Sequence, residues 1–424
     1  MQFENSPSFA EAQDQADSLS HFRKQYHIPE KEGKPTTYFC GNSLGLQPKS
    51  ALSLFNKEFT KWRELGVEGH FDGENPWLQY HNMGKPQLAH LLGTLESEVV
   101  VMNNLTTNLH VLLASFYQPK GKRTKVLIEA GAFPSDYYAV TSFVQLKGLD
   151  PDVEVVQLEI PSHGHLTTES IVEQIEKLGD ELALVMLPGI QYYTGQFFDL
   201  KSITASAHKA GAFAGFDLAH AIGNLPMQLH NDEVDFATWC SYKYLNSGPG
   251  NVSGIYIHEK HASNTEIPRL GGWWGQQPDT RFLMDNVNRP IPSVDGWMMS
   301  NENILAKSIH LASLQLFEEA DINVLREKSI HLTGYLEFLL KDNPSIAKNI
   351  QILTPSNPNE RGCQLSLFLI NHGKEIFQYL IDHGVILDWR EPNVIRVAPT
   401  PMYNTFGEVY LFCTLLAAAF EQNP

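Results

Sequence analysis

A chain of 424 residues with 42% hydrophobic and 19% charged residues is neither disordered nor fibrous, and is long enough for about two or three domains. Its formal net charge of −17 argues against a nucleic-acid backbone or an anionic membrane as partner. Four cysteines (Cys40, Cys240, Cys363, Cys413) lie far apart without C-x-x-C spacing, so neither a zinc site nor a disulfide framework is expected.

Residues 1–50 read as an N-terminal arm ending in the turn-rich stretch Gly41–Pro48. Its first twenty residues carry Glu4, Glu11, Asp14 and Asp17 but no basic stretch followed by an apolar run, so no signal peptide is expected. No apolar run approaches the roughly 20 residues of a membrane span. A cytoplasmic protein with reduced thiols is the expectation.

A large domain is expected over 51–300. Between about residue 85 and residue 260, apolar β-type runs alternate with helical patterns. The strands predicted are Lys125–Glu129, Val153–Ile160, Leu182–Leu187, Ala212–Asp217, Val234–Trp239 and Val252–His258. Such alternation predicts an α/β fold with a doubly wound, mostly parallel sheet. Residues 261–300 are rich in Gly, Pro, Trp and Asn and lack a period, which marks a functional or disordered stretch. A smaller C-terminal α/β domain is expected over 301–424. It has helices from Asn303 to about Leu340, strands at Cys363–Ile370, Val385–Trp389 and Val394–Val397, and helices at Glu375–Gly384 and Thr405–Phe420.

Several segments carry residue types suited to chemistry. Asn103–His110 precedes an apolar helical run, and hydroxyls at a helix start, with free N–H groups, suit an anion. Simple N-capping by Asn104 or Thr106 explains the same residues. No Walker or G-x-G-x-x-G pattern is present, which counts against nucleotides. In Val126–Tyr138 a strand runs through Phe133 and Pro134 into a helix, placing an aromatic ring where a flat cofactor would stack. A Phe closing the core under a loop is the equal alternative, and Ser135 and Asp136 have capping as theirs.

The strongest signal is Asp217, closing one apolar run in Gly215–His220, followed 26 residues later by Lys243 in Trp239–Tyr244. Ligands of open α/β sheets sit outside the carboxyl ends of the strands, so both groups point at one crevice. Pyridoxal 5′-phosphate (PLP) requires this pair: an amine for the Schiff base and a carboxylate for the pyridine nitrogen. A turn-capping Asp and a solvated Lys are the bland alternative. Arg396 on a short apolar strand needs an anionic partner, either a substrate carboxylate or a structural ion pair. Trp273 and Trp274, flanked by glycines, suit a pocket or a subunit interface better than one small core.

Taken together, YFCGNSLGLQP, NNLTTNLHVLL, FPSDYYA, YYTGQ, GFDLAHAIGN, WCSYKYLNSGPG, PRLGGWWGQ, TRFLMDN, RGCQLS and VIRVAPTPMYN resemble kynureninase over about Tyr38 to residue 410. That family consists of PLP-dependent hydrolases of the aspartate aminotransferase fold (fold type I). The resemblance implies that Lys243 carries the cofactor, that Asp217 pairs with its ring nitrogen, and that His220 lies near both. It makes Phe133 the stacking ring, Leu105, Thr106, Pro134, Ser135 and Asp136 cofactor contacts, and Tyr242 a phosphate contact with a part in proton transfer. Trp273 and Asn301 match positions that reach the cofactor from the second subunit of a homodimer. Ser43, His70, Trp274 and Asn301 match the substrate pocket, and Arg396 the arginine that binds the amino-acid carboxylate. His70 reads equally well as a structural histidine. Pro188 departs from family members that have a hydroxyl residue there, which leaves one polar cofactor contact open.

The implied reaction is hydrolysis of L-kynurenine to anthranilate and L-alanine, with 3-hydroxy-L-kynurenine as an alternative substrate, in tryptophan catabolism or NAD biosynthesis. A cysteine desulfurase or aminotransferase of the same fold is the first rival; Cys363 leads into a buried-strand pattern, so it reads as structural. A non-catalytic PLP-binding paralogue is the second.

Overall fold

The computed structural model describes residues 2–160 and 164–422. Seven strands form the large sheet: β1 (Val99–Met102), β2 (Lys125–Glu129), β3 (Val155–Leu158), β4 (Leu182–Pro188), β5 (Phe213–Asp217), β6 (Phe236–Cys240) and β7 (Ser253–Ile257). Their order is β3-β2-β4-β5-β6-β7-β1, and only β7 runs antiparallel to its neighbours. The mostly parallel sheet expected from the alternating pattern is present. Its central strands are buried throughout, as strands covered by helices on both faces must be.

Most expected strands shift by one or two residues at their ends, and in two of them local chemistry gives the reason. Asp150 accepts the N–H of Asp152 and Pro151 opens a short helix, so Pro151–Glu154 is helical and β3 starts only at Val155. The strand expected over Val385–Trp389 is split. Val385–Ile386 pairs in parallel with Thr37–Tyr38, whereas Asp388–Arg390 (β10) joins a second, four-stranded antiparallel sheet. That sheet also contains β8 (Ile350–Ile352), β9 (Leu365–Leu369) and β11 (Val394–Val397), in the order β8-β9-β11-β10. The short strands β1 and β8 escaped the sequence reading.

The N-terminal residues are stitched to this second unit. Thr37 N donates to Gly384 O (2.9 Å), and Ala398 N to Phe39 O (3.0 Å). Asp14, from the helix Pro7–Ala16, accepts the N–H groups of Phe406 (2.7 Å) and Gly407 (3.0 Å) that open the helix Phe406–Gln422. A carboxylate at a helix N-terminus satisfies free donors and complements the dipole.

One glycine sets the spacing of the strands that carry the site. A Cβ on Gly215 of β5 would stand 2.0 Å from Cζ of Phe236 on β6, its register partner. Gly215→Ala therefore forces the ring or the strand aside, a cost of about 1–3 kcal/mol for overpacking. The thermal midpoint is expected to fall by a few degrees. Gly215→Ala/Phe236→Leu is expected to recover part of that loss; equal midpoints for wild type and Gly215→Ala refute the steric account.

Candidate functional site

The carboxyl ends of β2, β4, β5 and β6 share one edge of the sheet, as does that of β1, which is parallel to β6 through their common neighbour β7. Each end delivers a side chain to one cavity of about 190 Å³: Glu129 from β2, Pro188 from β4, Asp217 from β5, and Tyr242 and Lys243 from the turn after β6. Leu105 and Thr106, opening the helix Leu105–Phe116, complete the wall with Phe133, Ser135 and Asp136, where the helix Pro134–Leu146 begins. Asn104 caps the first helix by accepting Thr107 N at 3.1 Å. Thr106 is thus not the cap and stays exposed at the cavity. Pro134 occupies the first helical position, where its missing N–H is harmless.

Electrostatics concentrate around Lys243. Its Nζ lies 3.0 Å from Nε2 of His220, 5.6 Å from the Phe133 ring centre and 5.9 Å from that of Tyr242. Burial, then the charges of Lys243, Arg396 and Arg390, holds the His220 imidazole well below its usual range, so it stays neutral. A neutral ring presents one acceptor to the ammonium, and its buried Nδ1 has no partner.

Three carboxyl groups share the cavity. Burial raises Asp217, while the Lys243 charge, the Ala219 N–H (2.7 Å to Oδ1) and a hydrogen bond from Asp136 oppose that rise. Asp136 is raised too, first by desolvation and then by Asp217. Glu129, only 2% exposed, is pushed up to about 8 by burial and then by Asp217. The sequence reading did not single out Glu129, although it ends a strand whose span was read correctly. Burial also raises the Tyr242 hydroxyl, with Cys240 adding to it.

Arg396, on β11, is 1% exposed and already holds an anion. Its Nε donates to Asp388 Oδ1 (2.8 Å), its Nη1 to Tyr192 O (2.8 Å) and its Nη2 to Ser43 Oγ (3.1 Å). Ser43 Oγ in turn donates to Asp388 Oδ2 (2.5 Å). Asp388 faces Arg396 in register across β10 and β11. Although burial raises its carboxyl, Arg396, Ser43 and Arg390 together bring it below the usual range. Neither Asp388 nor Tyr192 had been singled out. Tyr192 joins this cluster to the cavity, since it also lines the latter and packs its ring edge-on to Phe133 at 5.2 Å.

Of the expected residues outside the cavity wall, Pro134 lies between two wall residues and Ser43 and Arg396 adjoin it through Tyr192, whereas four others lie elsewhere within one chain. His70 packs against Trp77, with its Nδ1 3.0 Å from Val67 O. Trp273 is 46% exposed beside Phe282, whereas Trp274 is buried under the guanidinium of Arg281 at 4.5 Å. The two adjacent indoles thus separate into one at the surface and one in the core. Asn301 is exposed on a different groove, beside Asn103, Asn104 and Thr107.

Comparison with known proteins agrees with this architecture. The family model "Kynureninase C-terminal domain" matches residues 325–416. A kynureninase of Flavobacterium johnsoniae is 47% identical over 418 residues, covering 98% of each chain. One of Myxococcus xanthus is 48% identical over 417 residues, covering 98% of this chain and 97% of its own. Among solved structures, a cysteine desulfurase from Thermococcus onnurineus superposes with a TM-score of 0.75 at 16% identity, over 91% of this chain and 95% of that one. A cysteine desulfurase from Escherichia coli gives 0.75 at 16% identity, over 96% and 99%. At that identity the likeness carries the fold, which is that of fold type I enzymes. Near-identical length and 47% identity carry more: the chain belongs to the kynureninase family.

Proposed function

We propose that this chain hydrolyses the Cβ–Cγ bond of L-kynurenine, giving anthranilate and L-alanine, with PLP as cofactor. The observation that carries the reading is the lone cavity lysine held between a neutral histidine, an aromatic face and a set of buried carboxyls. Those residues fit a flat, cationic-ringed phosphate ester. Lys243 would hold it covalently, Asp217 would face its ring nitrogen, Phe133 its ring face, and Thr106 with the helix start at Leu105 its phosphate. His220 Nδ1 is buried and has no hydrogen-bond partner among the described residues. Bound there, PLP supplies an electron sink for the bond changes at the substrate's α and γ carbons.

The chain's own residues do the rest. Asp217 would keep a proton on the cofactor's ring nitrogen. Lys243 would serve as the base toward the substrate's α-proton. His220 accepts from the ammonium without adding a second charge. Tyr242, beside Lys243, is placed for proton transfer in the later steps. The substrate carboxylate takes the Nη edge of Arg396 in place of the Ser43 hydroxyl, while Asp388 stays on Nε and fixes the fork. Pro188 contributes its ring to the wall and no hydrogen bond.

The rival desulfurase reading needs an exposed thiolate of lowered pKa. Cys240, Cys363 and Cys413 are buried, and burial raises the thiols of Cys40 and Cys240 to about 11 and that of Cys363 to about 12. Four unpaired thiols also suit the cytoplasm, where we place the protein.

A homodimer with shared sites accounts for the residues left outside the cavity. Phe59 (47%), Trp62 (57%), Val67 (68%) and Phe71 (57%) are exposed around His70, and Phe282 (55%), Leu283 (62%) and Met284 (68%) near Trp273. Apolar side chains grouped in this way mark an interaction surface. His70, Trp273 and Asn301 then act in the partner's cavity, and Trp274 shapes the loop that presents Trp273.

Lys243→Ala is expected to abolish turnover and cofactor attachment; borohydride reduction and peptide mapping of the wild type must place the pyridoxyl label on Lys243 and no other lysine. Arg396→Lys is expected to raise KM for kynurenine at least tenfold with little change in cofactor affinity, because a point charge cannot replace the planar fork. Unchanged KM would make Arg396 a fold residue paired with Asp388. For the dimer, mixing Lys243→Ala with an inactive Asn301 variant gathers both defects in one site of the heterodimer. Activity near one working site per mixed dimer is expected. Inactivity after verified exchange, where wild-type/Lys243→Ala heterodimers work, rules shared sites out.

A further inference from the structure

The edge of the large sheet opposite the cavity holds a second chemical cluster. Glu98 immediately precedes β1, His258 immediately follows β7, and His230 follows the turn at Leu229, whose N–H bonds Leu92 O. Because Ser253 pairs with Cys240 and Ile257 with Phe236, the end of β7 lies at the start of β6. One strand length, about 15 Å at about 3.3 Å per residue, separates this cluster from the turn that bears Lys243.

Glu98 is 0% exposed, which is rare for a carboxylate without a permanent counter-charge. Among the described residues its ion-pair partners are two histidines: His230 Nδ1 lies 3.0 Å and His258 Nδ1 3.7 Å from Oε1. Nearby Asp235 differs, having Lys260 Nζ at 3.1 Å as well as His208 and His261. The backbone N–H of Lys260 donates to His258 Nδ1 at 3.2 Å, so that nitrogen carries no proton. That N–H engages the one lone pair of Nδ1, as the N–H of Glu259 engages Oε1 at 2.8 Å and that of Leu95 engages Oε2 at 2.9 Å, so a cation held by His258 takes the place of the Lys260 contact. The rings of His230 and His258 stack, with centroids 4.9 Å apart and planes 17° apart, which turns their nitrogens to the same carboxylate.

We propose that Glu98, His230 and His258 form a binding site for a divalent transition metal of the zinc type. Ligands at about 2.0–2.1 Å from a tetrahedral zinc stand about 3.3 Å from each other. The separations of 3.0 and 3.7 Å straddle that edge, and the three ligand atoms lie within 4.8 Å of one another. The cation takes the place of the proton between His230 Nδ1 and Glu98, and that proton leaves through the partly exposed face of His230. Water fills the fourth position. The scattered cysteines exclude a thiolate site, and no ligand here is a cysteine. Such a metal ties the segment 229–235 to the ends of β1 and β7, a structural task remote from the cavity.

The test uses the holoenzyme, stripped with a chelator and desalted, with Co2+ and Zn2+ as probes. One zinc retained per chain after equilibrium dialysis is expected, as are visible d–d bands of four-coordinate cobalt that added zinc abolishes. His230→Ala and His258→Ala are each expected to weaken retention at least tenfold. His230→Ala is expected to keep normal kynurenine turnover, and zinc to raise the thermal midpoint of wild type but not of this variant. His230 lies near the surface, so its variant decides the matter should His258→Ala fail to fold. The proposal fails if wild type retains no zinc, if His230→Ala retains it equally well, or if Lys243→Ala abolishes retention.

Discussion

A single ammonium group, placed among three carboxyls where water is scarce, governs the chemistry of the cleft. Glu129, Asp136 and Asp217 cannot all ionise beside one lysine, because each further charge is taken out of water without a partner. The cleft resolves this by order of compensation. Asp217 has the Lys243 charge, the Ala219 N–H and the Asp136 hydrogen bond opposing its rise; Asp136 and Glu129 have less to offset their burial. His220 completes the arrangement by staying neutral, first because it is buried and then because of the nearby Lys243 charge. Asp217 is thus the carboxyl whose charged form the cleft favours most. In the proposed function a cationic ring nitrogen would face it.

That arrangement depends on backbone register. Asp217 and Thr238 pair across β5 and β6, so the carboxylate and the turn carrying Lys243 emerge side by side. The register depends in turn on Gly215, whose missing side chain admits the ring of Phe236. Parallel strands of a doubly wound sheet end at a common edge, and helices begin there, so acids, an amine and free N–H groups converge without any long-range device.

Much of this was legible in the chain. Buried strands appear as continuous apolar runs, which is why Lys125–Glu129 in the parallel sheet and Val394–Val397 in the antiparallel one were read with their observed ends. What failed was local chemistry overriding the run: the Asp150–Pro151 start inside the β3 region, and the change of sheet between Ile386 and Asp388. In the site, residues next to a recognisable motif were found, and their silent partners were not. Glu129 looked like an ordinary strand end. Asp388 could be tied to Arg396 only through strand pairing, which no local pattern reveals. Where the sequence left Arg396 open between a ligand and an ion pair, the structure shows the ion pair, and the proposed ligand role must coexist with it.

Coexistence has a physical logic in so acidic a protein. An unpaired guanidinium buried to 1% exposure would be strongly destabilised, yet the same group fully committed to Asp388 would have nothing left for a substrate. The planar fork offers both. Asp388 engages Nε and one Nη2 hydrogen, the carbonyl of Tyr192 engages Nη1, and the remaining contact is to a hydroxyl, the weakest of the set. Ser43 is itself anchored on Asp388, so it can turn away without losing its partner. In the proposed role, a substrate carboxylate would replace a neutral oxygen instead of competing with an anion. Arg396 and Arg390 share the one carboxylate of Asp388, so the cluster carries a standing positive excess against a net charge of −17.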